Sequence, residues 1–400
     1  MFRINIKNKI KIISINLLLM AYFFKGGTTS GFIASDLTVL AFLFIYILAM
    51  FRAISSQKIC LFSVDLIIIL FILWIGVGVL YSSDIYSGAE KFLKFVLMGI
   101  ILIYIIRFFI KSNDEMYFLL KNFCMLVTIF ELYNIINFFK SGAKIGRYAV
   151  GSIHPIPITL IGCMVIYCSL YFTFAKDKKY YSNGICIIMI LISATNIIIS
   201  ASKGPVVSLI LSLLITYRNF IKKINIKLVV GLLCFISILV YLVNYSILRE
   251  NFSYFITRFI DMGKDYSTIE RFEHYTNAIN IWSKHFIFGI GTGGYEKGYP
   301  HNVFLELGLE NGVLSVIILI FLVSYLFVFK LKILAKFSKN NLLRVSWGLY
   351  ILNALTLLIS WSYSFQKFLY YSIGIFIQTG IINLLEERDN NESITNNKYS

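Results

Sequence analysis

Long apolar runs recur along almost the whole chain, and they constrain its fold more than any other feature. Many of them are 15 to 23 residues long, and a bilayer core of about 30 Å needs about 20 helical residues to cross it. Of the 400 residues, 58% are hydrophobic and 14% are charged, against roughly 25% charged in ordinary soluble domains. The sequence therefore predicts an all-α, polytopic integral membrane protein.

About twelve of these runs are interpreted as membrane-spanning helices. They cover residues 12–24, 32–51, 59–81, 92–110, 117–139, 156–175, 185–201, 204–217, 228–248, 313–329, 345–363 and 368–384. A β-barrel would instead need short segments of alternating polarity. Residues 1–384 are thus predicted to be a single membrane domain, and the polar, Asn-rich residues 385–400 a disordered cytoplasmic tail.

Basic residues set the predicted topology. The formal charge of +17 is spread over short loops rather than one folded face, which argues against nucleic acid as a partner. Lys and Arg concentrate in the segments on one side of the predicted spans, which places both termini in the cytoplasm. Residues 249–312 then form the one large extracytoplasmic loop, in which we expect short amphipathic helices and the functional site.

The first part of this loop predicts an amphipathic helix. Ser267 to Glu270 have the spacing of a capping box, and apolar residues from Phe272 to Phe286 then recur at three- and four-residue steps. Arg271 lies on another face of this helix. The glycine-rich stretch 289–294 that follows is either a phosphate-cradling turn or a plain flexible loop.

His301 is the candidate general base. It directly precedes an apolar helix that would run from Asn302 to Phe329 and exceed the hydrocarbon thickness by about 12 Å, so its first turns are predicted to project outside. A helix N-terminus disfavours imidazolium and would keep His301 neutral. The alternative is a loop histidine that only donates a hydrogen bond. Glu306 and Glu310 either orient the ring or are solvated.

Three cations on three separate outer segments, Arg147, Lys203 and Arg271, would form a receptacle for phosphate or pyrophosphate if they cluster. Singly, Arg147 is interpreted as a solvated charge. Lys203 is expected to bind an anion, and the alternative is that it reaches lipid phosphate or a helix C-terminus. The sequence carries no Asp-x-Asp, His-Glu-x-x-His or P-loop motif, so we expect neither a metal nor a nucleotide cofactor.

The order of these motifs resembles the signature of the O-antigen ligase and O-antigen polymerase superfamily. The resemblance spans about 45 residues, from 270 to 314, and its motifs lie at 270–282, 285–291, 300–306 and 310–314. It implies metal-independent, inverting transfer of glycan from an undecaprenyl-pyrophosphate-linked oligosaccharide to a sugar hydroxyl outside the cytoplasmic membrane. The acceptor would be a glycan or a lipid core; membrane lipid and a chain-length regulator are the other expected partners.

Site residues follow from the resemblance. The expected catalytic residues are His301, as base, and Arg271; the expected substrate-binding residues are Arg147, Lys203, Gly289, Gly291, Asn302 and Glu306. Lys203 stands where the family often has arginine. Lysine keeps the positive charge but lacks the bidentate guanidinium fork. An O-antigen or capsule polymerase is the first interpretation and a ligase the second. A transporter or flippase that uses the intramembrane residues Asp36, Asp65, Lys121 and Glu131 is the alternative from another class.

Overall fold

Helices make up the architecture of the protein. A computed structural model describes residues 4–26, 62–142, 145–151, 153–174, 183–221, 247–261, 265–337 and 340–398. Its helices are α1 (Ile6–Gly26), α2 (Ser63–Leu80), α3 (Ile85–Phe109), α4 (Asn113–Lys140), α5 (Pro155–Phe174), α6 (Asn183–Ser200), α7 (Lys203–Ile221), α8 (Ile247–Ile260), α9 (Tyr266–Lys284), α10 (Val303–Lys336), α11 (Asn341–Ser360) and α12 (Lys367–Lys398). No strand occurs among these residues, so the prediction of an all-α polytopic protein is confirmed.

Eight described helices are long and apolar enough to cross a membrane. They are α2, α3, α4, α5, α6, α10, α11 and the first part of α12, Lys367–Arg388. The predicted span 204–217 lies in α7, whose apolar part Lys203–Thr216 is shorter, and the predicted span 12–24 lies in α1. The predicted spans 32–51 and 228–248 lie outside the described residues, except for the last two positions of the second.

The last helix continues into the segment for which the sequence predicts a disordered tail. α12 reaches Lys398. Two contacts attach it to the bundle beyond residue 385: Asn113 Nδ2 donates to Glu386 Oε1 at 3.0 Å, and Lys336 Nζ lies 2.6 Å from Glu387 Oε2. Composition alone indicates disorder here, because it does not register these partners.

Charged residues inside the spans have partners within the bundle. Asp65 forms an ion pair with Arg107, in which Nη2 lies 3.1 Å from Oδ2. Glu131 is fully buried and accepts hydrogen bonds from Ser193 at 2.6 Å and Asn196 at 3.3 Å. Asp36 lies outside the described residues. Asp65 and Glu131, which the transporter alternative would use, thus both have specific partners within the bundle.

The helix after His301 is broken rather than continuous. Gly312 has a φ of 70° and a ψ of −174° inside α10, which separates residues 303–311, here called the half-helix, from the long span that follows. The side chains from Leu307 to Asn311 are buried, and Trp282 of α9 lies over Gly308. The prediction of a continuous helix is therefore wrong, and the half-helix is enclosed by the protein.

A helix break exposes carbonyl groups, which must find donors in an apolar interior. The donors to the carbonyls of Leu309, Glu310 and Asn311 are Ile290 N at 2.9 Å, Gly291 N at 2.8 Å and Trp74 Nε1 at 2.9 Å. Beyond the break, Ser315 Oγ donates to the Gly312 carbonyl at 2.7 Å. The loop before His301 and the end of α2 thus stabilise the break together.

Replacing Gly312 with alanine is expected to destabilise the protein. A Cβ at this position would lie 1.8 Å from the Ile287 carbonyl oxygen, in addition to the cost of a positive φ for a side chain. We expect a loss of at least about 2 kcal/mol, measured as a lower midpoint of thermal unfolding in detergent. Gly142→Ala is the control, because Gly142 has a φ of 78° with nothing within 4 Å of the added Cβ, and about 1 kcal/mol is expected. Equal losses in both variants would contradict the role given to the Ile287 contact.

Candidate active site

Four cations converge at the end of the bundle where α6 meets α7 and α9 begins. Arg147 Nη2 donates to Ser202 Oγ at 3.1 Å, next to Lys203. Burial, and then repulsion from Arg258 and Arg271, lower the pKa of Arg147 to about 10. The predicted clustering of Arg147, Lys203 and Arg271 is therefore present, with Arg258 as a fourth member that the sequence analysis missed.

Arg258 and Lys203 share one carboxylate, Asp265. Arg258 Nε lies 3.1 Å from Asp265 Oδ1, and Lys203 Nζ lies 2.9 Å from Asp265 Oδ2. Burial would raise the pKa of Asp265, but the hydrogen bonds from Arg258, Ser267 and Lys203 hold it well below its usual range. Arg258 also donates to the Ala201 carbonyl. These bonds tie the start of α9 to the junction of α6 and α7.

This carboxylate corrects two predictions. Lys203 has an internal anion, and it also donates to Thr268 Oγ1 at 3.2 Å, so it is neither directed at lipid nor a lone cation for a ligand. α9 begins at Tyr266 after the N-cap Asp265, two residues before the helix start that a capping box at Ser267 requires. The side chain of Asp265 forms no cap hydrogen bond, because the cations engage it.

Arg147 and Arg271 differ from the other two cations. Neither forms an ion pair with a carboxylate within the described ranges, and Arg147 Nε is buried without a hydrogen-bond partner there. The cluster thus holds four cations and one ion-paired carboxylate. Its excess positive charge suits an anion with more than one negative charge, such as a pyrophosphate.

His301 lies beside this cluster in a strained backbone conformation. Among the described residues, His301 and Ala201 are the two non-glycine residues with positive φ, at 57° and 46°, and both belong to this end of the bundle. The ring centroid of His301 lies 4.5 Å from that of Tyr299 and 6.0 Å from that of His274. Residues held in this region of φ persist where the surrounding structure over-determines them, which is common at functional sites.

The imidazole of His301 is neutral at physiological pH. Burial, and then the charge of Arg271, lower the pKa of His301 to about 4, while a hydrogen bond to the backbone of Ser360 acts in the opposite direction. The Nδ1 atom is buried without a partner in the described part of the chain. The prediction of a neutral base is thus supported, although the causes are burial and Arg271 rather than the helix N-terminus, whose cap is Asn302.

The glycine-rich stretch is neither a phosphate cradle nor a flexible loop. Gly289 and Gly291 are buried, and their amides donate to the backbone carbonyls of His285 and Glu310, both at 2.8 Å. The amide of Thr292 donates to the carbonyl of Gly78 at 3.0 Å. The prediction that Gly289 and Gly291 bind substrate phosphate through free amides is therefore wrong, because the carbonyls of His285 and of the broken α10 accept from these two amides.

Asn302 and Glu306 are also engaged inside the protein. The Asn302 side chain accepts from the amides of Phe304 and Leu305 and donates to the Leu358 carbonyl. Glu306 is fully buried, and its carboxylate accepts from Lys91 at 2.7 Å. Neither residue offers the substrate contact that we predicted. Glu306 and Glu310 neither orient the His301 ring nor are solvated, since Lys91 binds both.

Several residues of the site carried only weak signals in the sequence. Arg258 lies in an apolar setting that resembles many interfacial segments, and Asp265 is one acid in a polar stretch. The end of α11 contributes Trp361, whose ring centroid lies 5.7 Å from that of His154 and 6.5 Å from that of Tyr299. A predicted span end at residue 363 indicated only that this segment lies near the membrane surface.

Comparison with known proteins agrees with this arrangement. Residues 185–320 match the family model described as O-antigen ligase, a segment that contains Lys203, Arg258, Asp265, Arg271 and His301, while Arg147 lies before it. None of the curated proteins matches the chain. Residues 185–320 are thus similar to the O-antigen ligase family, in line with the resemblance of the motifs between residues 270 and 314, and the chain is a multi-pass membrane protein.

Proposed function

We propose that this protein is a glycosyltransferase on the outer face of the cytoplasmic membrane. It transfers or polymerises glycan repeat units from an undecaprenyl-pyrophosphate-linked donor onto a sugar hydroxyl, as an O-antigen or capsular polysaccharide polymerase. One observation carries the proposal: Arg271, a cation without an ion-paired carboxylate among the described residues, lies close enough to the buried His301 to lower its pKa further. Arg147, a second such cation, lies close enough to Arg271 for the two charges to repel each other.

In the proposed reaction, His301 Nδ1 accepts the proton of the acceptor hydroxyl as the oxygen attacks the anomeric carbon. The bond from that carbon to the pyrophosphate oxygen breaks, and its electron pair leaves with the pyrophosphate. Arg147 and Arg271 stabilise the negative charge that develops on this leaving group. Arg258, Lys203 and Asp265 hold the cluster together. A single displacement of this kind inverts the anomeric configuration, and the arginines supply the positive charge that it requires.

The proposed orientation follows from where the chain ends lie. Asn8 Nδ2 donates to Glu115 Oε1 at 2.7 Å and Asn113 Nδ2 donates to Glu386 Oε1 at 3.0 Å, so both described ends of the chain meet the start of α4. The site lies beyond the other end of α4, near Arg147. The excess of Lys and Arg in the segments on the side of the chain ends favours the cytoplasm there and the outer face for the site.

A ligase is the second candidate, and the family match favours it, since the matched model is described as O-antigen ligase. The ligase would move a finished glycan to a lipid core or a protein. The donor, base and cations would be the same in both reactions, and the acceptor alone would differ.

Replacement of His301 with alanine is expected to abolish glycan transfer. General base catalysis contributes about 10²–10⁴-fold, so we expect at least about a 100-fold loss of transfer rate with extracted lipid-linked donor, at unchanged protein levels. His285→Ala is the control, because His285 is exposed after the end of α9, and it should retain wild-type transfer.

The same variants in cells distinguish the two candidates. In a deletion strain complemented with the His301→Ala protein, a single repeat unit on the acceptor would indicate a polymerase, whereas finished polymer that stays on the carrier would indicate a ligase. Normal glycan on the normal acceptor would remove His301 as the base.

The pH dependence of transfer should reflect the neutral His301. Because the pKa of His301 is lowered to about 4, the basic form persists as the pH falls and is lost only near that value. We expect kcat/KM, which reports the free enzyme, to be level on the acid side down to about pH 5 and to fall tenfold per unit below about pH 4. An acid limb near 6.5, the usual pKa of histidine, would contradict the burial of the free base.

Binding of the donor phosphate should depend on Arg147 and Arg271. Charge-assisted hydrogen bonds contribute about 1.5–3 kcal/mol each, so we expect either alanine variant to weaken binding of farnesyl pyrophosphate by about 10- to 100-fold. Microscale thermophoresis of the purified protein measures this. Lys297→Ala is the control, because Lys297 is an exposed cation in the segment 249–312, which also contains Arg271. An equal loss in the control would indicate general attraction rather than a built site.

A further inference from the structure

A buried ionic network lies where α3, the half-helix and the turn after α11 meet. Lys91 Nζ lies 2.7 Å from Glu306 Oε1 and 2.6 Å from Glu310 Oε1. The lysine side chain is 10% exposed and both glutamate side chains are fully buried. The proposed reaction does not use this network, and Lys91 belongs to none of the motifs named above.

The carboxylates of Glu306 and Glu310 also accept hydrogen bonds from the turn after α11. Ser362 Oγ donates to Glu306 Oε1 at 2.5 Å, and the amide of Tyr363 donates to Glu306 Oε2 at 3.2 Å. The Tyr363 hydroxyl donates to Glu310 Oε2 at 3.2 Å. Every carboxylate oxygen therefore has a donor, and Lys91 Nζ also lies 5.0 Å from the centroid of the Tyr363 ring.

Two of the segments that the network joins, the half-helix and the turn after α11, lie next to His301. His301 precedes the half-helix that bears both glutamates. Ser360, whose backbone forms a hydrogen bond with the His301 ring, lies two residues before Ser362, and Trp361 faces Tyr299 and His154. Lys91 thus fixes the His301 backbone and the Ser360 turn relative to each other without contact with the ring.

Stability alone does not account for such a network. Removal of charges from water costs more than their attraction returns unless the geometry is favourable, and well-packed uncharged residues often stabilise a protein as well. A base displaced by about 1 Å can lose about 100-fold in rate. We infer that Lys91 is a positioning residue for the proposed transfer reaction, acting through Glu306 and Glu310 on the two segments that surround His301. This inference rests on the proposed function.

The test compares uncharged versions of two buried ion networks. The variant Lys91→Met with Glu306→Gln and Glu310→Gln removes all three charges while the side chains keep similar volumes. Asp65→Asn with Arg107→Met is the matched control, because that buried pair joins α2 and α3 at their other ends. Glu306→Gln alone is a milder second variant if the triple variant yields little folded protein.

We expect the triple variant to bind farnesyl pyrophosphate with wild-type affinity, because the four cations are unchanged, while kcat falls at least about 30-fold. The acid limb of kcat/KM should move to higher pH, because the His301 ring is less well enclosed in this variant. Glu306→Gln should lose about tenfold in kcat with unchanged probe affinity, and the control pair should stay within about threefold of wild type.

Three results would overturn the inference. They are wild-type kcat in the triple variant, wild-type kcat in Glu306→Gln when that is the variant that folds, and a loss of probe affinity large enough to explain the loss of activity. Failure of the proposed function has a different signature: wild-type protein and His301→Ala would then give the same amount of product.

Discussion

Much of the site depends on one constraint, the cost of an unpaired backbone group away from water. A broken helix leaves carbonyls that a membrane interior cannot satisfy, so the break at Gly312 requires donors from other segments. Ile290, Gly291 and Trp74 supply them. The loop before His301 is thereby held against the bundle, which fixes the position of His301 just before the half-helix. Irregular backbone within a membrane protein is tolerated where protein encloses it, and the buried residues on both sides of the break show such an enclosure.

A second constraint concerns the charges of the site: buried cations need carboxylates to balance their positive charge. Asp265 serves Arg258 and Lys203 together, which leaves Arg147 and Arg271 with charge to spare. Mutual repulsion and burial lower the pKa of Arg147, so folding stores an unfavourable interaction that an anion would relieve. A site that binds a phosphate ester tightly gains from such prior arrangement, because the donors need not reorganise when the ligand enters.

The elements could be predicted from the sequence far better than their contacts. Long apolar runs specify helices in lipid almost alone, and eight predicted spans correspond to membrane-length helices. The partner of Lys91 lies 215 residues away, and no local pattern reports which helix faces another. The glycine stretch 289–294 was misread for the same reason, since its amides serve carbonyls freed by a kink that a hydropathy pattern does not register. Arg147, Lys203 and Arg271 could be predicted to converge, because the alternation of spans places their three segments on the same side of the membrane.

The base and the leaving-group cations of the proposed reaction are electrostatically linked. Burial and then Arg271 lower the pKa of His301, so the charge that would hold a pyrophosphate also helps to keep the base unprotonated in the free protein. A bound pyrophosphate would cancel part of the field of Arg271 and raise the pKa of His301, while the effect of burial would stay. The base would thus gain strength once the donor is in place, because a higher pKa makes the imidazole a stronger proton acceptor.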